Sequence, residues 1–278
     1  MTPSTGSPSL KDIFQRSLAA HLPGSAFARL QGTSVLVAGL GGGSNIAELL
    51  ARKGVGRLFL ADLDVYEPHN IRQRGSTAAT WGKEKVAVMT ERLRDINPFI
   101  QVTPVPEGVT LANARELVRQ ADIAVDMLDF HAIKEKVAFY RAAREQGKTV
   151  VTAPSVVNGA VLYVFAPDGP TFEAFFEYEE GLPLAEQALH LLKRLIVHFP
   201  PEAPEELYRA AARGERTIPL DAVGVDQAAV LAAGAIENLA LGRPDRVIRI
   251  PRGIHIDASD PSYLARVVDF TRDFEVRP

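Results

Sequence analysis

From residue 33 onward the chain alternates short runs of β-branched and aliphatic residues with longer stretches whose apolar positions recur at helical spacing. That alternation predicts a largely parallel sheet with crossover helices. Ser34–Ala38 (SVLVA) reads as a buried strand, Asn45–Lys53 as a helix and Arg57–Ala61 (RLFLA) as a second strand. Lys83–Ile96 reads as a helix that stops before Asn97-Pro98, because the residue ahead of a proline avoids helical backbone angles. Gln101–Pro104 predicts a third, weaker strand, Leu111–Gln120 a helix and Ile123–Asp126 a strand. His131–Gln146 follows as a helix closed by Gly147, then Val150–Thr152 as a strand, since glycine supplies the backbone turn that ends a helix.

The pattern then changes. Val161–Phe165 follows Val150–Thr152 too soon for a helical crossover, so antiparallel pairing is expected there. In Thr171–Gly181 (TFEAFFEYEEG), Phe172, Phe175, Phe176 and Tyr178 interleave with Glu173, Glu177, Glu179 and Glu180; this is either a core segment edged with solvated acids or a docking surface for a basic tail. A Leu-rich helix is expected over Leu184–Phe199, a break at Pro200–Pro204, and a short helix ending near Arg213. Ala222–Leu241 reads as a helix of small residues suited to burial, and Val247–Ile250 and Ile254–Asp257 as paired strands. The sum is an α/β fold, a Rossmann-like doubly wound sheet whose parallel N-terminal half is extended by antiparallel strands. Residues 1–28 form an N-terminal arm, 29–170 the doubly wound region, and 171–278 a late crossover with completing strands, in one continuous domain.

Composition narrows the chemistry. With 31 Lys+Arg against 34 Asp+Glu the formal charge is −3, which offers no basic field to nucleic acid or a membrane surface. The absence of cysteine removes disulfides, thiolate zinc sites and a cysteine nucleophile together, and no zinc is expected. The opening MTPSTGSPSL lacks the basic and apolar regions of a signal peptide, and no apolar run approaches the roughly 20 residues that span a bilayer; a cytoplasmic location is expected. The histidines at 21, 69, 131, 190, 198 and 255 offer no i,i+4 pair of the zinc-helix kind. His255 and Asp257 share a strand face by period two and read as a structural pair.

The chemistry is concentrated where the first strand ends. Gly39-Leu40-Gly41-Gly42-Gly43-Ser44 lies between that strand and a helix, where backbone N–H groups close on a phosphate at the positive end of the helix. Asn45 and Glu48 are spaced as a capping pair, and Ser44 as a helix-start donor. Asp62, at the end of the second strand and about 20 residues past the glycines, is placed to accept ribose hydroxyls. Asp64 faces the same way if the strand persists; otherwise it is a solvated strand terminus. The cluster Asn70, Arg72, Gln73, Arg74, Lys83 and Lys85 adds cations beyond what a pyrophosphate requires, which favours ATP over NAD.

This series resembles the ThiF/MoeB/HesA family of ubiquitin-activating-enzyme-like adenylyltransferases. The resemblance covers roughly residues 29–165, through VLVAGLGGGS, GVGRLFLADLDVYEPHN, RQ, GKEKV, RDINPF and ADIAVDMLDF, and returns in DQAAVLAAGAIENLALG. It implies that Gly39, Gly41, Gly42, Gly43, Ser44, Asp62, Asp64, Asn70, Gln73 and Lys85 bind the nucleotide. It further implies that Arg72 or Arg74 and Lys85 contact its phosphates, and that Asp129 engages Mg²⁺. Arg16, within IFQRS, resembles the arginine that in this family reaches the neighbouring subunit's phosphates, which implies a homodimer.

The departures are specific. The glycine loop is one residue shorter than the family's, and the family's Asn-x-x-Arg-Gln is shortened to Asn70-Ile71-Arg72-Gln73, which leaves Arg72 and Arg74 both open for the phosphate position. Asp129 is followed by Phe130 where the family often has Asn, and both the CxxC pairs and the thioester cysteine are missing. The expectation is an adenylyltransferase that uses ATP and Mg²⁺ to activate the C-terminal carboxylate of a small carrier protein or a peptide. The alternatives are a non-catalytic nucleotide-binding or scaffolding subunit and, behind it, an NAD-dependent oxidoreductase, for which no hydride-transfer acid stands out.

Overall fold

The computed structural model describes residues 9–14, 22–195, 205–260 and 265–271. Among the described residues two short helices, α1 (Leu10–Phe14) and α2 (Gly24–Gly32), precede the sheet. Four right-of-sequence units then follow one another: β1 (Ser34–Ala38) and α3 (Gly43–Arg52), β2 (Arg57–Ala61) and α4 (Lys85–Ile96), β3 (Gln101–Val105) and α5 (Ala114–Gln120), β4 (Ile123–Asp126) and α6 (Ile133–Glu145). β5 (Thr149–Thr152) ends the parallel set. The strand order is β3-β2-β1-β4-β5, so the chain reverses direction across the sheet between β1 and β4. Such a reversal opens a crevice at the carboxyl ends of the two strands.

The antiparallel extension begins with a hairpin, β6 (Ser155–Val156) and β7 (Gly159–Phe165), in which β7 pairs with β5. β8 (Arg252–Asp257) pairs with β7, and β9 (Ala265–Asp269) pairs with β8 at the far edge. The expected pairing of Val247–Ile250 with Ile254–Asp257 is not formed. Among the described residues Val247–Ile250 joins no strand, and the Ile250 N–H instead donates to the Val164 carbonyl at 3.1 Å. The neighbours of β8 are β7 and β9.

Alternation along the strands divides the core in two. Leu36 and Ala38 face one layer, with α5, α6 and the short helix α7 (Phe172–Phe176), while Val35 and Val37 face the other, with α3, α4 and α10 (Ala222–Ala240). Apolar strand residues buried on both faces are what a parallel sheet between helical layers requires. In α10, Ala228, Ala229, Ala232 and Ala233 are buried against α3 and β7, as expected of a helix of small residues. Phe172, Phe175 and Phe176 are core, packed by ring contacts with Tyr140, Phe165 and one another, which decides against the docking-surface alternative for these three. The Leu-rich helix α8 runs Leu184–Leu195 as described, and α9 covers Glu205–Ala212; the expected end at Phe199 and the break at Pro200–Pro204 lie outside the described residues. His255 and Asp257 are both buried on β8, where Asp257 accepts from the backbone N–H and hydroxyl of Ser259.

Candidate active site

The glycine turn begins immediately after β1. Gly39 has φ +89°, and a Cβ there would stand 2.3 Å from the Met127 carbonyl oxygen, so only glycine lets β1 pass the end of β4. The helix starts at Gly43 with Gly42 as its N-cap and no side-chain capping bond. The expected Asn45–Glu48 capping pair is therefore not made. Asn45 instead accepts from the Arg74 N–H at 2.9 Å and donates to Asp226 at 2.8 Å, while the buried Glu48 carboxylate accepts from Arg52 and Arg92. Ser44 is fully buried and donates to the Gly41 carbonyl at 3.0 Å.

A cleft of about 950 Å³ opens at the crevice between β1 and β4. Gly39, Gly41, Gly42, Asp62, Asp64, Asn70, Arg72, Gln73, Lys85 and Asp129 line it, whereas Gly43, Ser44 and Arg74 do not. Arg16 lies outside the described residues. Asp62 follows the last residue of β2 and accepts from the Leu40 N–H at 2.5 Å and the Asp64 N–H at 2.8 Å. Burial raises its pKa, against the lowering pull of Lys85 and these two N–H bonds. The strand does not persist to Asp64, whose exposed carboxylate accepts from the buried Lys85 ammonium at 2.9 Å.

Arg72 and Arg74 have different environments. Arg72 stands on the cleft, its Nη1 donating to the His69 carbonyl at 2.7 Å, and burial lowers its pKa. Arg74 places Nη2 on both carboxylate oxygens of Asp226 at 3.0 and 3.1 Å. Asn70 is buried, and its side chain accepts from the Glu67 N–H, fixing the short turn of 3-10 helix that presents Arg72 and Gln73.

The donor set suits a phosphate-bearing ligand. The Arg72 Nε donor and the Gln73 Oε1 acceptor are buried without a hydrogen-bond partner, an arrangement that costs free energy unless a ligand or water meets them; a phosphate oxygen answers the first and an O–H or N–H group the second. A Cβ at Gly41 would meet nothing nearer than the Gln73 amide nitrogen at 3.9 Å, so the turn is open on that side. Among the described residues no cluster of three His, Asp or Glu side chains is built to hold a metal alone. Mg²⁺ carried by a polyphosphate needs only one or two protein carboxylates, and Asp129, exposed on the cleft with its Oδ1 accepting from the His131 N–H at 2.8 Å, is compatible with that.

The periodic reading passed over Lys136. It lies on the cleft from α6, 2.8 Å from both oxygens of Asp126, at the end of β4. Its signal is a lysine on the buried face of an amphipathic helix, in line with Ile133, Val137 and Tyr140. Arg216 and the Thr217–Leu220 segment also line the cleft, from the stretch ahead of α10.

A doubly wound sheet with a glycine turn, an acid after its second strand and cations at the switch point places the chain among α/β proteins of the Rossmann-like class. A sequence model of the ThiF family matches residues 14–204, and the chain belongs to that family. It is 33% identical over 151 residues to the pig "Adenylyltransferase and sulfurtransferase MOCS3", a match over 53% of this chain and 33% of that protein. It is 33% identical over 141 residues to the Escherichia coli K12 "Sulfur carrier protein ThiS adenylyltransferase", over 50% of this chain and 55% of that one. The chain thus spans between a third and about half of the length of these relatives. Among solved structures, E. coli MccB with ATP superposes with a TM-score of 0.63 at 18% identity, over 88% of this chain and 65% of that one; the likeness is one of fold. Among the described residues no helix is long and apolar enough to cross a membrane.

Proposed function

We propose that this chain is an ATP-dependent adenylyltransferase that activates the C-terminal carboxylate of a small carrier protein or a peptide. The observation that carries the reading is the convergence on one cleft of the open glycine turn, Asp62, Lys85 and Arg72 with its unpartnered Nε. The relatives named for adenylyl transfer and a structural neighbour solved with ATP support it.

The reaction asks little of the protein as a proton carrier. A carboxylate is already ionised at neutral pH; one of its oxygens forms a bond to the α-phosphorus, the bond from that phosphorus to the bridging oxygen breaks, and the electron pair leaves with pyrophosphate. No general base and no nucleophilic side chain are needed, so positioning and charge stabilisation do the catalysis. Asp62 receives the ribose, the glycine turn and the N-terminus of α3 receive phosphate, and Arg72 and Lys85 offset its charge. Asp129 would hold Mg²⁺, which when bound neutralises charge on the phosphate oxygens. Without cysteine these 278 residues form no thioester, so the thiol or amine acceptor lies outside them.

The same reading includes a homodimer in which Arg16 reaches the neighbouring site, and a monomer by sedimentation at micromolar protein with nucleotide would contradict it. Calorimetry tests the nucleotide: ATP with Mg²⁺ binds more tightly than NAD, and the reverse order would overturn the assignment. ATP binding with no reaction of any partner would favour the scaffolding alternative.

A further inference from the structure

The adenylation chemistry leaves one charged pair of the cleft unused. Lys136 and Asp126 have side chains only 8% and 3% exposed. Asp126 is saturated: it accepts from Lys136 at 2.8 Å on each oxygen, from the fully buried Tyr140 hydroxyl at 3.0 Å and from the Leu128 N–H at 3.0 Å. An ammonium has three N–H groups. Two bonds go to Asp126, and Lys136 has no further acceptor among the described residues although it stands on the cleft.

A buried ion pair is a costly way to join a helix to a strand, because desolvation of both charges offsets their attraction and an apolar pair of similar size often does as well. The location of this pair gives it another use. Asp126 ends β4, and the next residue, Met127, donates to the Ala38 carbonyl at 2.7 Å, directly ahead of Gly39. The pair therefore lies beside the glycine turn, with Lys136 reaching it from α6, in the layer of the sheet opposite α3. The helices α7 and α8, which pack on α6, add the apolar Phe172, Phe176, Leu191 and Leu192 to a lining that also carries Glu135 and Arg216, and partial exclusion of water strengthens a charge interaction.

Resting on the adenylation reading, we propose that Lys136 is the acyl-side anchor of the cleft. It donates its third N–H to the carboxylate oxygen of the substrate that does not attack phosphorus, and then to the carbonyl oxygen that this atom becomes in the acyl-adenylate. Asp126, pinned by Tyr140 and the Leu128 N–H, holds the ammonium in place. The ammonium also offsets the repulsion between an incoming carboxylate and the polyphosphate, so the substrate half of the cleft selects an anionic chain end.

The test needs no knowledge of the natural substrate. Calorimetry on the full chain compares N-acetylglycyl sulfamoyladenosine, a stable mimic of an acyl-adenylate, with adenosine 5′-sulfamate, which lacks the acyl group. Wild type prefers the acylated compound. Lys136→Met combined with Asp126→Asn, which leaves neither charge stranded, loses that preference by about 10-fold or more, while affinity for the sulfamate stays within about twofold. Lys136→Gln, a second variant that keeps an N–H opposite Asp126, loses it similarly, and Lys136→Arg restores most of it. Folded variants that keep the wild-type preference, or that lose affinity for both compounds equally, would overturn the anchor and leave the pair a structural one. Failure of wild type to bind either compound would instead bring down the adenylation reading on which the anchor rests.

Discussion

Arg74 grips Asp226 with one guanidinium nitrogen on both carboxylate oxygens, at 3.0 and 3.1 Å, across 152 residues of sequence. The contact ties the loop that follows β2 to the late crossover helix α10. Asn45 of α3 joins it, accepting from the Arg74 N–H and donating to Asp226. The loop is held from behind, and its other face presents Arg72 and Gln73 to the cleft.

The two arginines should therefore separate on mutation. Arg74→Ala is expected to lower stability by about 1–2 kcal/mol, a charge-assisted bond at a half-buried site. Arg72→Ala should leave stability within about 0.5 kcal/mol and weaken ATP binding about 10-fold or more. Urea unfolding and calorimetry on both variants check this; equal loss of nucleotide affinity without loss of stability in Arg74→Ala would contradict the division.

Gly39 and Gly41 make a second contrast. Gly39→Ala meets the Met127 carbonyl oxygen at 2.3 Å in a backbone conformation of φ +89°, and is expected to cost about 2 kcal/mol or more. Gly41→Ala meets nothing within 4 Å except the Gln73 amide nitrogen at 3.9 Å, so it should fold normally and lose affinity for ATP. Thermal melts with and without nucleotide would show the difference.

Glu48 sets an acid limit on stability. Burial alone would raise its pKa, but the hydrogen bonds and charges of Arg92 and Arg52 outweigh burial and hold it below the ordinary carboxylate range. A carboxylate with a lowered folded pKa contributes stability above its unfolded value, about 4.3, and loses it as pH falls through the folded value. Glu48→Gln should thus be less stable than wild type by about 1–3 kcal/mol at pH 7, with the gap closing below about pH 4. A gap that is independent of pH would mean that the arginine network is not what Glu48 contributes.

The parallel half of the sheet is readable in the sequence because SVLVA, RLFLA and IAVD are apolar runs, each followed by a helix before the next strand. The far edge is not. Three of the five residues of β9 are exposed, so Ala265–Asp269 carries no burial pattern, while Val247–Ile250 alternates like a strand and yet only leads into β8. Asp62 and the glycine turn stand out through their order along the chain. The division between Arg72 and Arg74 depends on Asp226, which no local pattern connects to them. Lys136 was hidden for a different reason: a charged residue on an apolar helical face breaks the periodicity that reading by period looks for.

The proposed reaction is read most directly as ATP–pyrophosphate exchange driven by the small peptides and carrier proteins encoded beside this chain's gene. Exchange is expected with one of them, lowered about 10²–10³ by Asp129→Ala, the cost of one transition-state charge contact, in a protein that melts like wild type. Near-wild-type exchange by Asp129→Ala would contradict the Mg²⁺ assignment, and no exchange by the wild-type chain with any of these partners would contradict the adenylyltransferase itself.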